Sequence, residues 1–130
     1  MLNGMRHGLA TSFYPNGQIE RQGTWVYDKQ EGLWIYYFKN GGIKGKVNFK
    51  NDKQNGEVAY FYPNGTIEQK GYFLEGKPDS ISKSYYENGK LKQIQHWVLG
   101  KRNGQAILYD SLTNDSTIYI YRNDVEILDK

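Results

Sequence analysis

Apolar and polar positions alternate along this chain in short runs, and the runs recur. Aromatic pairs stand at Phe13/Tyr14, Tyr37/Phe38, Phe61/Tyr62 and Tyr85/Tyr86, and an aliphatic follows each, at Ile19, Ile43, Ile67 and Leu91. A second aromatic closes each unit, at Trp25, Phe49, Phe73, Trp97 and Tyr121. Between the pair and the aliphatic lies Asn-Gly, beginning at Asn16, Asn40, Asn64 and Asn88, each 24 residues from the next. Gly8, Gly32, Gly56 and Gly104 open the units, with Ser80 in the place of one glycine. A fixed period of this size means tandem structural repeats. No long window carries an apolar 3.6-residue period with caps, so no substantial helix is predicted.

Asn-Gly between an aromatic and an aliphatic reads as a hairpin loop. Pro15 and Pro63 preset φ for the turn, and Gly17 and Gly65 accept the left-handed conformation. A three-residue loop of Pro15, Asn16 and Gly17 sets Phe13 opposite Ile19 on one sheet face, and the even spacing from Ile19 to Trp25 predicts that Trp25 joins them. The predicted packing face is therefore Phe13, Ile19 and Trp25 with their equivalents in the later units. The other face then carries Ala10, Ser12 and Tyr14, then Trp34, Tyr36 and Phe38, then Val58, Tyr60 and Tyr62, then Ser82, Ser84 and Tyr86. Its middle units hold surplus aromatics, the composition of interaction hot spots. Two readings stay open: Trp34, Tyr36, Phe38, Tyr60 and Tyr62 bind a partner, or they are core and the two faces must be exchanged.

The expected architecture is all-β, an elongated antiparallel meander of hairpins in which neighbours supply the burial that each unit lacks. One repeat domain covers 1–130, with a partial repeat over 1–7, repeats over 8–31, 32–55, 56–79 and 80–103, and an atypical capping repeat over 104–130 in which Leu112, Thr113 and Asn114 replace Asn-Gly. Residue 1 falls near the end of an incomplete preceding unit, so the chain reads as a piece of a longer array or as one with a frayed cap.

Composition narrows the chemistry. With 130 residues and no cysteine, disulfides, a thiolate nucleophile and thiolate metal sites are excluded. Seventeen Lys+Arg against 14 Asp+Glu give a net charge of +3, too mild a bias to call for nucleic acid. Aromatics make up 15% of the residues, with 12 tyrosines, which accounts for a core in a chain whose mean hydropathy is -0.80. No apolar run approaches a membrane span of roughly 18 residues. A cytoplasmic location is expected, or export if an N-terminal signal has been removed.

The segments Gly71-Tyr72-Phe73-Leu74-Glu75-Gly76-Lys77 and Gly23-Thr24-Trp25-Val26-Tyr27-Asp28-Lys29, running on to Gly32, resemble MORN repeats. With the Tyr-x-Asn-Gly-x-Ile hairpins at Tyr14–Ile19 and Tyr62–Ile67, the chain is most similar to the bacterial variant of that repeat, found in toxin-antitoxin and immunity-type proteins. The resemblance implies a non-catalytic scaffold that binds proteins or, in eukaryotic arrays, acidic phospholipids. Departures from the pattern include Asp28, Asp52 and Asp124 in place of the turn glycine.

Catalytic chemistry finds no constellation. His7 and His96 lack partners at metal-ligand spacing, so no metal or cofactor is expected. Asp28 with Glu31 and Asp110 with Asp115 fall in turns, where Asp serves the backbone. The serines at 80, 82, 84, 111 and 116 have no nucleophile elbow. Lys29, Lys53, Lys77 and Lys101 form a row along one edge that could hold anionic lipid or phosphate, or could simply be solvated among neighbouring acids. The expected function is protein binding of the antitoxin or immunity type, by occlusion of a partner such as a toxin. The alternative is a structural or membrane-peripheral scaffold.

Overall fold

A computed structural model describes residues 3–113 and 115–127. Eleven strands form one antiparallel sheet in chain order: β1 (Gly8–Phe13), β2 (Ile19–Val26), β3 (Lys29–Tyr37), β4 (Ile43–Lys50), β5 (Lys53–Phe61), β6 (Ile67–Leu74), β7 (Lys77–Tyr85), β8 (Leu91–Val98), β9 (Lys101–Tyr109), β10 (Ser116–Arg122) and β11 (Val125–Ile127). Among the described residues there is no helix, as the periodicity predicts. Residues 1 and 2 of the incomplete first unit, and Asn114 of the atypical loop, lie outside the described residues.

Two kinds of turn alternate. The Asn-Gly loops close as expected: Gly17 N–H donates to the Tyr14 carbonyl at 2.9 Å, Tyr14 N–H to the Gln18 carbonyl at 2.8 Å, and the loop glycines take φ near +90° (Gly17 +89°, Gly65 +92°). The asparagine side chain finishes the turn, Asn16 Oδ1 accepting from Gln18 N–H at 2.9 Å. At the other end of the strands, two-residue turns place both central residues at positive φ, for example Tyr27 (46°) with Asp28 (65°) and Asn51 (50°) with Asp52 (71°). This is the twist that a tight hairpin needs.

These turns stack on the preceding repeat through a ladder of hydrogen bonds. Asp28, Asp52, Gly76, Gly100 and Asp124 donate their N–H groups to the carbonyls of Arg6, Gln30, Gln54, Pro78 and Arg102 at 2.7–3.1 Å. Where the donor is aspartate, its carboxylate also accepts the facing N–H: Arg6 to Asp28 at 2.8 Å, Gln30 to Asp52 at 3.0 Å, and Arg102 to Asp124 at 2.7 Å. Gly100 has no carboxylate and faces Pro78, which has no N–H to satisfy. The aspartates that depart from the repeat pattern are thus inter-repeat clamps.

Those bonds give a pH dependence. Accepting the Arg6 N–H, and then its guanidinium, holds the Asp28 carboxyl below the ordinary aspartate range. Arg102 does the same for Asp124, and the N–H groups of Thr113 and Leu112 do so for Asp110. A carboxyl whose folded-state pKa is depressed contributes stability above its unfolded value, about pH 4, and that contribution is lost as pH falls through the folded value. The urea midpoint should therefore fall on acidification below about pH 4. The variant Asp28→Asn, Asp110→Asn, Asp124→Asn should show a shallower fall, and an unchanged slope would exclude these three groups.

The predicted face assignment is corrected. Phe13 pairs with Ile19, as expected, but Ser12 pairs with Arg21, so Glu20 is an extra residue that reverses the alternation before Trp25. The same bulge recurs in β4, β6 and β8, where Ile43/Gly45, Ile67/Gln69 and Leu91/Gln93 flank the extra residue. Trp25 and Phe49 therefore share a face with Trp34, not with Phe13 or Ile43. Trp34, 1% exposed, is the largest fully buried side chain, and Val47, Val58 and Ala106 are the other buried apolar side chains among the described residues. Phe13, assigned to the packing face, is 61% exposed.

The opening glycines occupy a second irregularity and need positive φ, as at Gly32 (71°) and Gly56 (107°). Ser80 adopts the same conformation at 66°. A left-handed residue with a β-carbon costs about 1–2 kcal/mol, partly offset by glycine's larger unfolded-state entropy, about 0.4–1 kcal/mol. Ser80→Gly should raise stability by somewhat under about 1 kcal/mol, read as a higher urea midpoint at constant slope. A lower midpoint would show that the Ser80 side chain earns its place.

Candidate functional site

The Trp34 face is built from pairs that trade size across neighbouring strands. The Trp34 ring lies over Gly23, where an added Cβ would come within 2.1 Å of it. Trp34 also meets Trp25 edge-on at 5.1 Å and Phe49 at 6.3 Å between centroids, and its Nε1 donates to the Thr24 carbonyl at 3.1 Å. One repeat on, Val47 pairs with Val58, then Val58 with Gly71 and Ser82 with Gln95, and finally Gln95 with Ala106. The dry, aromatic half of the face thus lies toward β1 and a polar half toward β10.

Of the five residues expected to bind a partner, Trp34 is core and unavailable for contact. Tyr36, Phe38, Tyr60 and Tyr62 are half-buried. Tyr36 and Tyr60 converge: both pair with Gly45, from β3 and β5, and with Phe49 and Gln54 they line an apolar hollow of about 180 Å³. The Tyr60 ring covers Gly45, with a Cβ there meeting it at 2.8 Å. Burial, and then the neighbouring Tyr36, push the Tyr60 phenol above its ordinary range, while Gln54 opposes the shift. Tyr62 serves the stack, donating from Oη to the Tyr85 carbonyl at 2.6 Å, as Tyr14 does to Tyr37 at 2.6 Å and Tyr86 to Tyr109 at 2.7 Å. Phe38 occupies the same position without the hydroxyl.

Lys29, Lys53, Lys77 and Lys101 are all exposed, each the first residue of its strand. Among the described residues the ion pairs are Arg6–Asp28 and Arg102–Asp124, so none of the four is held by a carboxylate. The row packs against the next turn, Lys77 Cβ lying 3.3 Å from where a Cβ on Gly100 would be.

The two histidines serve the backbone. His7 Nδ1 accepts the Tyr27 N–H at 3.3 Å, and His96 Nδ1 donates to the Gln105 carbonyl at 2.8 Å. His7 also belongs to a series that the sequence reading missed. Glu31, Asn55, Asp79 and Asn103 accept the N–H groups of Asn51, Glu75, Leu99 and Asn123 at 2.8–3.3 Å. Its signal was present in the sequence: the residue before each opening position always has an acceptor side chain. No group of three or more metal-ligating side chains gathers among the described residues, and no described helix could cross a membrane.

The MORN repeat variant family matches residues 6–27, 30–51, 54–75 and 78–98, and the MORN repeat family matches residues 96–111. The chain belongs to the MORN repeat proteins. Repeats of this kind are commonly modules that bind proteins or membranes and are generally non-catalytic. No curated protein matches the chain.

Proposed function

We propose that the chain is a non-catalytic protein-binding scaffold that neutralises its partner, a toxin or similar effector, by occluding it. The observation carrying this reading is the Tyr36–Tyr60 pair over Gly45: two half-exposed aromatics beside an apolar hollow, on a face whose equivalent positions in the flanking repeats are Ser12 and Ser84. A purely architectural need would act on each repeat alike. Tyrosine is enriched at interface hot spots because it offers a rigid apolar body with a polar tip.

The flanking repeats also supply the test. Tyr36→Ser and Tyr60→Ser install residues that the fold already accepts at equivalent positions. After a partner is isolated from the native organism, each substitution should weaken it by about thirtyfold in calorimetric titration, with the circular dichroism unchanged. Unchanged affinity in folded variants rejects the site. The alternative is a peripheral scaffold acting through Lys29, Lys53, Lys77 and Lys101, favoured by their exposure and by their having no ion-pair partner among the described residues. It predicts binding to anionic vesicles that survives both tyrosine substitutions and is lost as salt is raised.

A further inference from the structure

The polar half of the Trp34 face holds an open cleft of about 520 Å³ that the repeat pattern leaves unfilled. It spans β6 to β10. Its floor is made by Ser82, Ser84 and Ala106, small residues at positions where the second and third repeats carry Trp34, Tyr36, Val58 and Tyr60. Trp97, Tyr119 and Tyr121 give it aromatic walls, and Gln69, Gln93 and Gln95 line it with amides.

Gln95 is the telling residue. Only 4% exposed, it stands where the equivalent residues are Gly23, Val47 and Gly71. Its Nε2 donates to the His96 carbonyl at 2.9 Å, and among the described residues its Oε1 has no donor. Among the described residues no sealed side-chain polar atom lacks a partner, so this oxygen opens onto the cleft. That oxygen is therefore free to accept from a donor that enters the cleft. Trp97 is fixed by its Nε1 bond to Ser82 Oγ at 2.9 Å. Gln69, Ser84, Gln93 and Tyr119 make no side-chain hydrogen bond among the described residues, so their donors and acceptors are free to converge on a ligand.

The chemistry of the lining selects the ligand. Among the described residues no carboxylate lines the cleft. Arg102 is engaged, by Asp124 at 3.3 Å and over the Tyr121 ring at 4.4 Å. The other cation, Lys83, pairs in register with Lys70 and Ile94, a row on the opposite face. What remains is neutral: amides and hydroxyls that both donate and accept, beside aromatic faces. A peptide strand binds best by adding to a free sheet edge, and here the cleft lies on the face of strands that are paired on both sides. A sugar ring presents hydroxyls around its rim and C–H groups on its faces, which match amides and aromatic rings respectively.

We propose that this cleft binds a neutral saccharide, stacked on Trp97, Tyr119 or Tyr121 and hydrogen-bonded by Gln93, Gln95 and Ser84. The site is separate from the Tyr36–Tyr60 hollow and does not depend on its role.

The test is amide-shift NMR titration of the full chain with soluble neutral hexasaccharides (cello-, malto-, xylo- and N-acetylchito-oligomers) and with neutral hexapeptides, each to about 10 mM, the upper end of weak binding. At least one saccharide should shift resonances from β7 to β10 saturably. Tyr119→Ala and Gln93→Ala should each weaken it at least about tenfold. Leu9→Ala, 76% exposed on β1, should leave it unchanged. Two substitutions at different strands keep the test usable if one disturbs folding. Absence of saturable shifts with every saccharide overturns the proposal, as does binding of peptides alone, or saccharide binding that both cleft variants retain while folded.

Discussion

Trp34→Ala is expected to cost about 3–5 kcal/mol, the range for deleting a large buried aromatic. Marginal stability makes that a large share of the roughly 5–15 kcal/mol available to a domain, so the variant should be largely unfolded or held only at low temperature. The expectation rests on what the indole touches. It covers Gly23, meets Trp25 and Phe49 edge-on, and closes its polar edge on the Thr24 carbonyl at 3.1 Å. Truncation would strip cover from three strands at once, β2, β3 and β4. Gly23, directly beneath the ring, has no side chain to fill the space. Leu33→Ala, one residue away on the opposite face and 49% exposed, should cost less than about 1 kcal/mol. Urea titrations of the pair decide the matter: similar midpoints would mean that Trp34 is not the keystone of this face.

The same residue shows where sequence reasoning stopped. The repeat, the antiparallel meander and the Phe13–Ile19 pairing follow from hydrophobic spacing and Asn-Gly, because turn chemistry is local and survives in the sequence. The face assignment fails for an equally local reason that leaves a fainter trace. An extra residue in the strand after each Asn-Gly loop, Glu20 in the first repeat, reverses the parity, and it is polar and unremarkable in type. Counting from Ile19 to Trp25 therefore puts the wrong aromatics together. A better signal was available in glycine. Gly23 and Gly45 do not need positive φ, so they are glycines for close approach, and each reports a ring lying directly above it, Trp34 and Tyr60. The inter-repeat ladder was legible only in part. Asp28 reads as a turn residue, but its partner Arg6 lies 22 residues away and is brought near only by stacking of the repeats.

Gly23→Val should unfold the chain, and Trp34→Val should restore much of the fold in the double variant. An added Cβ at Gly23 would lie 2.1, 2.3 and 2.5 Å from three ring atoms of Trp34, distances that no small adjustment relieves. The ring cannot swing aside, since Trp25 and Phe49 flank it. The chain itself shows the alternative solution one repeat later, where Val47 and Val58 occupy the equivalent positions, pair in register, and are 2% and 3% exposed. The double variant copies that valine pair to the junction of the first and second repeats. It should stay below wild type, because the indole's contacts with Trp25 and Phe49 are gone, yet unfold cooperatively in urea where Gly23→Val alone shows no folded baseline. Because Gly23→Val leaves no folded baseline, a double-mutant cycle gives the coupling between the two sites only as a lower bound, and recovery of a cooperative transition in the double variant marks that coupling as favourable. Additive losses, leaving the double variant as unfolded as Gly23→Val, would mean that position 23 excludes side chains because of its backbone and not because of the ring above it.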